Sequence, residues 1–252
     1  MTSLSRFAPL ALGAAFLAGA FFFAAPSHGA DVDVDALLKL VDDANRGNSS
    51  HAVVEMSVKT KRYERSMKME NWTLGTEKSL IRILEPAKDK GVATLKVDEN
   101  LWNYLPNTDR TMKVPGAMMS GAWMGSHMTN DDLVREARFS DDFKCAIASS
   151  DDTRAVISCT PNADAAVVWG KVDVTVRLDG VPLEQVFFDE DGEKIRTMSF
   201  EDIQDLNGTP TAMTMRVTPH DKPGEFTVFK FLTLEVDIEV SDRLFSLQSL
   251  KK

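Results

Sequence analysis

The sequence predicts a mainly β protein of the α+β kind, a long antiparallel sheet with two or three helices. Three observations carry this. Apolar and polar residues alternate with a period of two in segment after segment, as in Val54, Met56 and Val58 against Glu55, Ser57 and Lys59. The pairs Asp191-Gly192 and Asn207-Gly208 are hairpin turn signals between such segments. A helical period occurs in only a few places, chiefly near the start of the chain and after Thr129.

Residues 1–30 hold one arginine, Arg6, no acid, and an Ala-, Leu- and Phe-rich run from Phe7. A short positive region before an apolar one reads as a secretory signal peptide, with cleavage after Ala30. The alternative is an uncleaved anchor, disfavoured because Ala and Gly make the run weakly apolar. No cysteine lies near the cleavage region, so the chain is expected to be a soluble protein and not a lipoprotein. Residues 31–252 then suit one domain. Removing residues 1–30 takes away one arginine and no acid, so the net charge goes from −9 to −10. That charge excludes nucleic acid as an expected partner and repels anionic lipid surfaces at long range.

Along the domain, Val34, Leu37, Leu38, Val41 and Ala44 recur at helical spacing, with Asp33 or Asp35 as the cap and an end near Asn45-Arg46-Gly47. After the strand at Val54, Met67 and Met69 alternate with Ser66, Lys68 and Glu70 on the next one. Trp72 falls on the polar parity there, so it is either exposed or follows a bulge. Ile81 and Ile83 share a face with Ser79, and Leu80, Leu84 and Arg82 share the other. Leu101 to Leu105 is a short strand with Trp102 and Tyr104 on one face, stopped by Pro106 and Asn107-Thr108-Asp109. Further on, Val172, Val174 and Val176 share a face, as do Met213, Met215 and Val217, and as do Phe226, Val228 and Leu232.

The segment between Pro106 and Thr129 is the most informative one. It places Met112, Met118, Met119, Trp123, Met124 and Met128 among Gly116, Gly121 and Gly125. Methionine is unbranched and polarizable and adapts to variable apolar shapes. The glycines interrupt regular packing, so the segment reads as an adaptable, ligand-facing flap. Trp123→Asp is accordingly expected to weaken ligand binding and spare the fold. A helix then starts at Thr129, with Thr129 as N-cap and Asp132 placed to answer it, and runs to about Arg138. Met67, Met69, Trp102 and Tyr104 either line the same cavity or form an ordinary core.

Cys145 and Cys159 flank the turn sequence Ser149-Ser150-Asp151-Asp152-Thr153. A turn centred near Asp152 sets them opposite each other, which in an oxidising compartment predicts a cross-hairpin disulfide. A redox or metal pair is the alternative, disfavoured because no histidine lies near. Catalysis is not expected. His28, His51, His127 and His220 are scattered, and no His-x-x-x-His, Gly-x-Ser-x-Gly or phosphate loop is present. The paired acids Asp131-Asp132, Asp141-Asp142 and Asp151-Asp152 belong to turns and caps. No metal and no cofactor is expected.

The order of residues from Trp102 to Leu133, aromatic-x-Tyr-Leu-Pro and later Trp-Met-Gly-Ser-x-Met-Thr-Asn-Asp-Asp-Leu, resembles the LolA-like outer membrane lipoprotein-sorting proteins of bacteria. The likeness extends to Leu80–Pro86 with Lys90-Gly91 and Leu95, to Trp169-Gly170-Lys171-Val172, and to residues 245–252. The resemblance implies an incomplete antiparallel β-barrel, a half-barrel, with a few helices covering a hydrophobic cavity. It implies a periplasmic carrier of lipid or of lipoprotein acyl chains, taking cargo from an inner-membrane exporter to an outer-membrane acceptor. Arg62, Arg65 and Arg82 match no motif of that family and read as solvated charges on the sheet face. A second role for the same half-barrel is lipid or lipoprotein sensing on behalf of a membrane partner, and a hydrolase comes last.

Overall fold

The computed structural model describes residues 33–43, 46–134, 139–165 and 167–251, with the backbone alone at 140 and 141. The region expected to be a signal peptide, Ala44, Asn45 and residues 135–138 lie outside the described residues. The first element of the described residues is helix α1, Val34–Asp43. Of its two candidate caps, Asp33 does the work, its Oδ1 accepting the Ala36 N–H at 3.1 Å. Leu37, Leu38 and Val41 form the buried stripe.

Six strands follow: β1 Ser49–Lys59, β2 Glu64–Leu74, β3 Lys78–Glu85, β4 Ala93–Val97, β5 Asn100–Leu105 and β6 Arg110–Lys113. After two short helices, α2 Asn130–Val134 and α3 Phe139–Asp142, come β7 Phe143–Ser150, β8 Arg154–Pro161, β9 Lys171–Arg177 and β10 Pro182–Phe188. The last three are β11 Lys194–Leu206, β12 Thr209–Pro219 and β13 Phe226–Val236. Among the described residues all thirteen form one antiparallel sheet in the order β6-β5-β4-β3-β2-β1-β13-β12-β11-β10-β9-β8-β7.

This topology has a direct consequence. The chain meanders from the middle of the sheet to one edge at β6, jumps to the opposite edge at β7, and meanders back until β13 pairs with β1. The segment between β6 and β7 therefore connects opposite edges, and Trp123, Met128 and Leu133 of its described part lie against the inner face.

The two faces carry separate cores. On the inner face Val54, Met56, Val58, Met67, Met69, Ile81 and Ile83 join Val172, Val174, Val176, Met213 and Val217 beneath α1, Phe139 and Trp123. On the outer face Leu80, Leu95 and Tyr104 pack with Phe245 and Leu250 of the C-terminal segment, against Trp72 and Trp102. Trp72 is thus neither exposed nor placed by a bulge of its own strand. It stacks on His51 at 5.1 Å and lies under the Arg82 guanidinium at 5.6 Å. Arg82 is a partnered group here, donating from Nη2 to the Ser249 carbonyl at 2.8 Å. Arg65 similarly reaches Asp89, with Nη2 to Oδ2 at 3.4 Å.

Cys145 and Cys159 are register partners on β7 and β8 and form a disulfide. The turn between them is held by Asp151, whose Oδ1 accepts from Thr153 Oγ1, Thr153 N–H and Arg154 N–H. The Thr153 hydroxyl and these backbone donors bring the Asp151 carboxyl down to about 2.

Candidate functional site

A cavity of about 350 Å³ lies against the inner face of the sheet. Its wall takes Val54 from β1, Met69 and Asn71 from β2, Ile81 from β3, and on the other side Phe187, Met198, Met215, Phe229 and Phe231 from β10 to β13. The strands contributing run from β3 to β10 in sheet order, seven neighbours that would span about 29 Å if laid flat at their usual spacing. That is far wider than a cavity of this volume, so the sheet curls around it, as twisted strands do. Val41 and Asp42 of α1, Phe139 of α3, and Trp123, Met128, Asp132 and Leu133 of the crossing segment also line it, together with Trp169, Pro182, Gln185, Arg196 and Phe200. The volume sits near the low end of the roughly 300–1,000 Å³ found for small-molecule sites.

Within the crossing segment, the stretch from Trp123 to Asp132 is anchored at both ends. At one, the backbone turns sharply through Met124 and Gly125, both at positive φ, 50° and 71°. That corner drives Trp123 inward, to 3% exposure. Its Nε1–H donates to Thr94 Oγ1 at 3.2 Å, and its backbone N–H to the Met128 carbonyl at 2.8 Å. Gly125 has no room for a side chain, since a Cβ would stand 2.9 Å from the Tyr63 hydroxyl, which donates to the Gly125 carbonyl. His127 grips the inner face of the central strand β13. Its backbone N–H donates to Thr227 Oγ1 at 3.0 Å, Nδ1 lies 2.8 Å from the same oxygen, and Nε2 lies 3.2 Å from Glu225 Oε2. The Lys61 backbone N–H on Glu225, together with His127, holds that carboxyl below its usual range.

At the other end, Thr129 and Asp132 form a reciprocal cap. Asp132 Oδ2 accepts the Thr129 N–H at 2.7 Å and Oγ1–H at 2.9 Å, and Asp132 N–H donates to Thr129 Oγ1 at 3.0 Å. The same carboxylate binds Arg196 on β11 through two 2.7 Å bonds, Nη1 to Oδ2 and Nη2 to Oδ1. Arg196 is only 6% exposed, and its guanidinium lies 4.5 Å from both the Trp169 and the Phe187 ring. Burial pushes the Asp132 carboxyl up, but the Arg196 bonds and charge and the Thr129 bonds outweigh it and leave it below the usual range.

The structure sorts the residues singled out in the sequence. Met69 and Trp123 line the cavity. Met67 is fully buried in the inner core beside it, and Met124 packs against that core. Trp102 and Tyr104 stand on the outer face, on the far side of the sheet from the cavity. Met112 lies on edge strand β6 and Met118 in the crossing segment, 41% and 61% exposed, and Met119 is half-buried. On β13 the residues that face the cavity are Phe229 and Phe231, the opposite parity from Phe226 and Val228. Ser126 and His127 make separate contacts, Ser126 Oγ with Met128 and His127 with Thr227 and Glu225.

A family described as "Uncharacterized protein" matches residues 75–252, well over half of the chain. Three solved structures share the fold over most of their own length. A protein of the DUF1329 family from Desulfovibrio piger superposes with a TM-score of 0.76 at 20% identity, covering 86% of this chain and 97% of that one. A putative outer membrane lipoprotein-sorting protein domain from Vibrio parahaemolyticus gives 0.70 at 20% identity, with coverage of 85% and 98%. A LolA superfamily protein from Nitrosomonas europaea gives 0.69 at 21% identity, with coverage of 85% and 97%. The chain belongs to this uncharacterized family, and its fold is the one the LolA-like proteins share. At these identities the likeness to the solved structures is one of fold, and it brings no cargo with it. No curated protein matches this chain.

Proposed function

We propose that this LolA-like protein is a carrier without catalytic activity. It shelters an acyl chain of a lipid or lipoprotein in the cavity and moves it through the periplasm toward the outer membrane. One observation carries the reading: a cavity lined by Met69, Met198, Met215, Phe229 and Phe231 lies between the sheet face and Trp123, Met128 and Leu133 of the segment that links its two edges. Each methylene taken from water contributes about 0.8 kcal/mol, so a single chain of ten methylenes supplies roughly 8 kcal/mol before the costs of binding. That is strong enough to hold cargo and weak enough to release it. A Met-rich wall accepts chains of different lengths without a fixed fit.

The lining volume suits one chain, and a lipoprotein with several chains would need the crossing segment to lift. The Cys145–Cys159 disulfide suits an oxidising space outside the cytoplasm. A donor at the inner membrane and an acceptor at the outer membrane complete the proposed route. Native mass spectrometry of the protein purified from a bacterial periplasm, followed by organic extraction, tests it. Co-purified lipid or acylated peptide is the expected result. A bare mass that takes up neither lipid nor acylated peptide on addition would contradict the proposal.

A further inference from the structure

A cavity for hydrocarbon alone has no use for a buried cation, yet its wall contains Arg196. As a strut, the Arg196–Asp132 pair is a poor choice, since an apolar pair of the same size is often as stable or more so. The two partners differ in how they are held. Arg196 is fixed by the sheet: it sits on β11 directly opposite Phe187 of β10, its guanidinium against the Phe187 and Trp169 rings, which contact each other at 5.0 Å. Asp132 belongs to the five-residue helix α2 on the crossing segment, and its cap bonds with Thr129 are local to that segment. If that segment lifts, the anion leaves and the cation stays. A buried, unpaired guanidinium is costly and recruits another anion.

Asp132 also leaves Arg196 incompletely satisfied. It takes Nη1 and Nη2, and the buried Nε–H has no partner. The other carboxylate of the lining, Asp42, is on α1 and accepts the Phe139 N–H, so the place for an incoming anion is beside Arg196.

Resting on the carrier reading, we infer that Arg196 is the head-group site for an acyl chain ending in a carboxylate, and that Asp132 fills this site when no cargo is bound. The planar carboxylate matches the guanidinium fork as Asp132 does. The chain then runs over Met198, Phe200 and Met215 toward Phe229. Cargo entry and release of α2 become one exchange of carboxylates.

Titration calorimetry with laurate and with methyl laurate tests this, since the two differ only in the head. The wild-type protein is expected to bind laurate at least about tenfold more tightly, the equivalent of one charge-assisted hydrogen bond. Asp132→Asn, which removes the competing carboxylate, is expected to widen that preference. Arg196→Gln in the Asp132→Asn background leaves no lone charge and is expected to abolish it. Equal binding of laurate and methyl laurate by wild type and Asp132→Asn would overturn the head-group site and leave the carrier reading intact. Binding of neither ligand by any of the three would overturn both.

Discussion

Arg196 and Asp132, 64 residues apart, join the sheet to the segment that crosses it through two hydrogen bonds of 2.7 Å each. Both side chains are largely buried, at 7% and 12% exposure. Truncating one partner of such a pair leaves an uncompensated charge. Asp132→Ala should therefore cost about 3–5 kcal/mol in urea denaturation, and adding Arg196→Met should recover most of the loss. A cost of only a few tenths would mean that the pair is exposed in solution.

The same carboxylate makes stability depend on pH. Its folded-state pKa lies below the ordinary 3.8, so its contribution is complete above that value and is lost as pH falls through the lower folded one. The urea midpoint of the wild-type protein should fall on acidification below about pH 4, and the decline should be shallower in Asp132→Asn. Parallel curves for the two proteins would remove Asp132 from the acid response.

Trp123 belongs to both the cavity wall and the inner core. Its burial changes the outcome expected from sequence for Trp123→Asp, since a carboxylate placed there would be desolvated and the fold would suffer with the ligand site. Trp123→Ala should cost about 3–5 kcal/mol and enlarge the cavity. Trp123→Phe should cost roughly 1 kcal/mol through the lost bond to Thr94. Thermal unfolding of the two variants separates these outcomes, and equal behaviour would contradict the packing described.

The Cys145–Cys159 bridge closes a loop with a sequence separation of 14. Reduction, or replacement of both cysteines by serine, should lower stability by about 3 kcal/mol on loop-closure entropy. Among the described residues none of β7 or β8 lines the cavity, and the bridge touches it only through Cys145 Sγ, 3.8 Å from the Phe139 carbonyl. Acyl-chain affinity measured at a temperature where both forms are folded should therefore change little. A loss of affinity in proportion to stability would tie the hairpin to the site.

What sequence could and could not show follows from range. The Thr129–Asp132 cap and the Cys145–Cys159 pairing are local, and both are readable from spacing around a helix start or a turn. The partner of Asp132 was not, because Arg196 arrives through the fold alone. A signal did exist for its neighbour: counting outward from Asp191-Gly192 sets Phe187 opposite Arg196, which is the observed register. Alternation also separates the two faces of a strand without saying which one is inner. Trp102 and Tyr104 share a face as expected, but that face is the outer one, covered by Phe245 and Leu250. On β13 both parities are apolar, and a register shift opposite Val53 and Val54 blurs them further, so Phe229 and Phe231 were overlooked in favour of Phe226, Val228 and Leu232. Composition marks the crossing segment as unusual. It could not separate Trp123, turned inward by the Met124–Gly125 corner, from Met118 on the outside.

The most direct test of the carrier account is photo-crosslinking with a fatty acid that bears a diazirine near the end of its chain, followed by peptide mapping. The account predicts labels on the inner face, at Met69, Met198, Met215 or Phe229, with competition by unlabelled lipid. Labels confined to the exposed Met112 and Met118, or labelling that unlabelled lipid does not reduce, would contradict it.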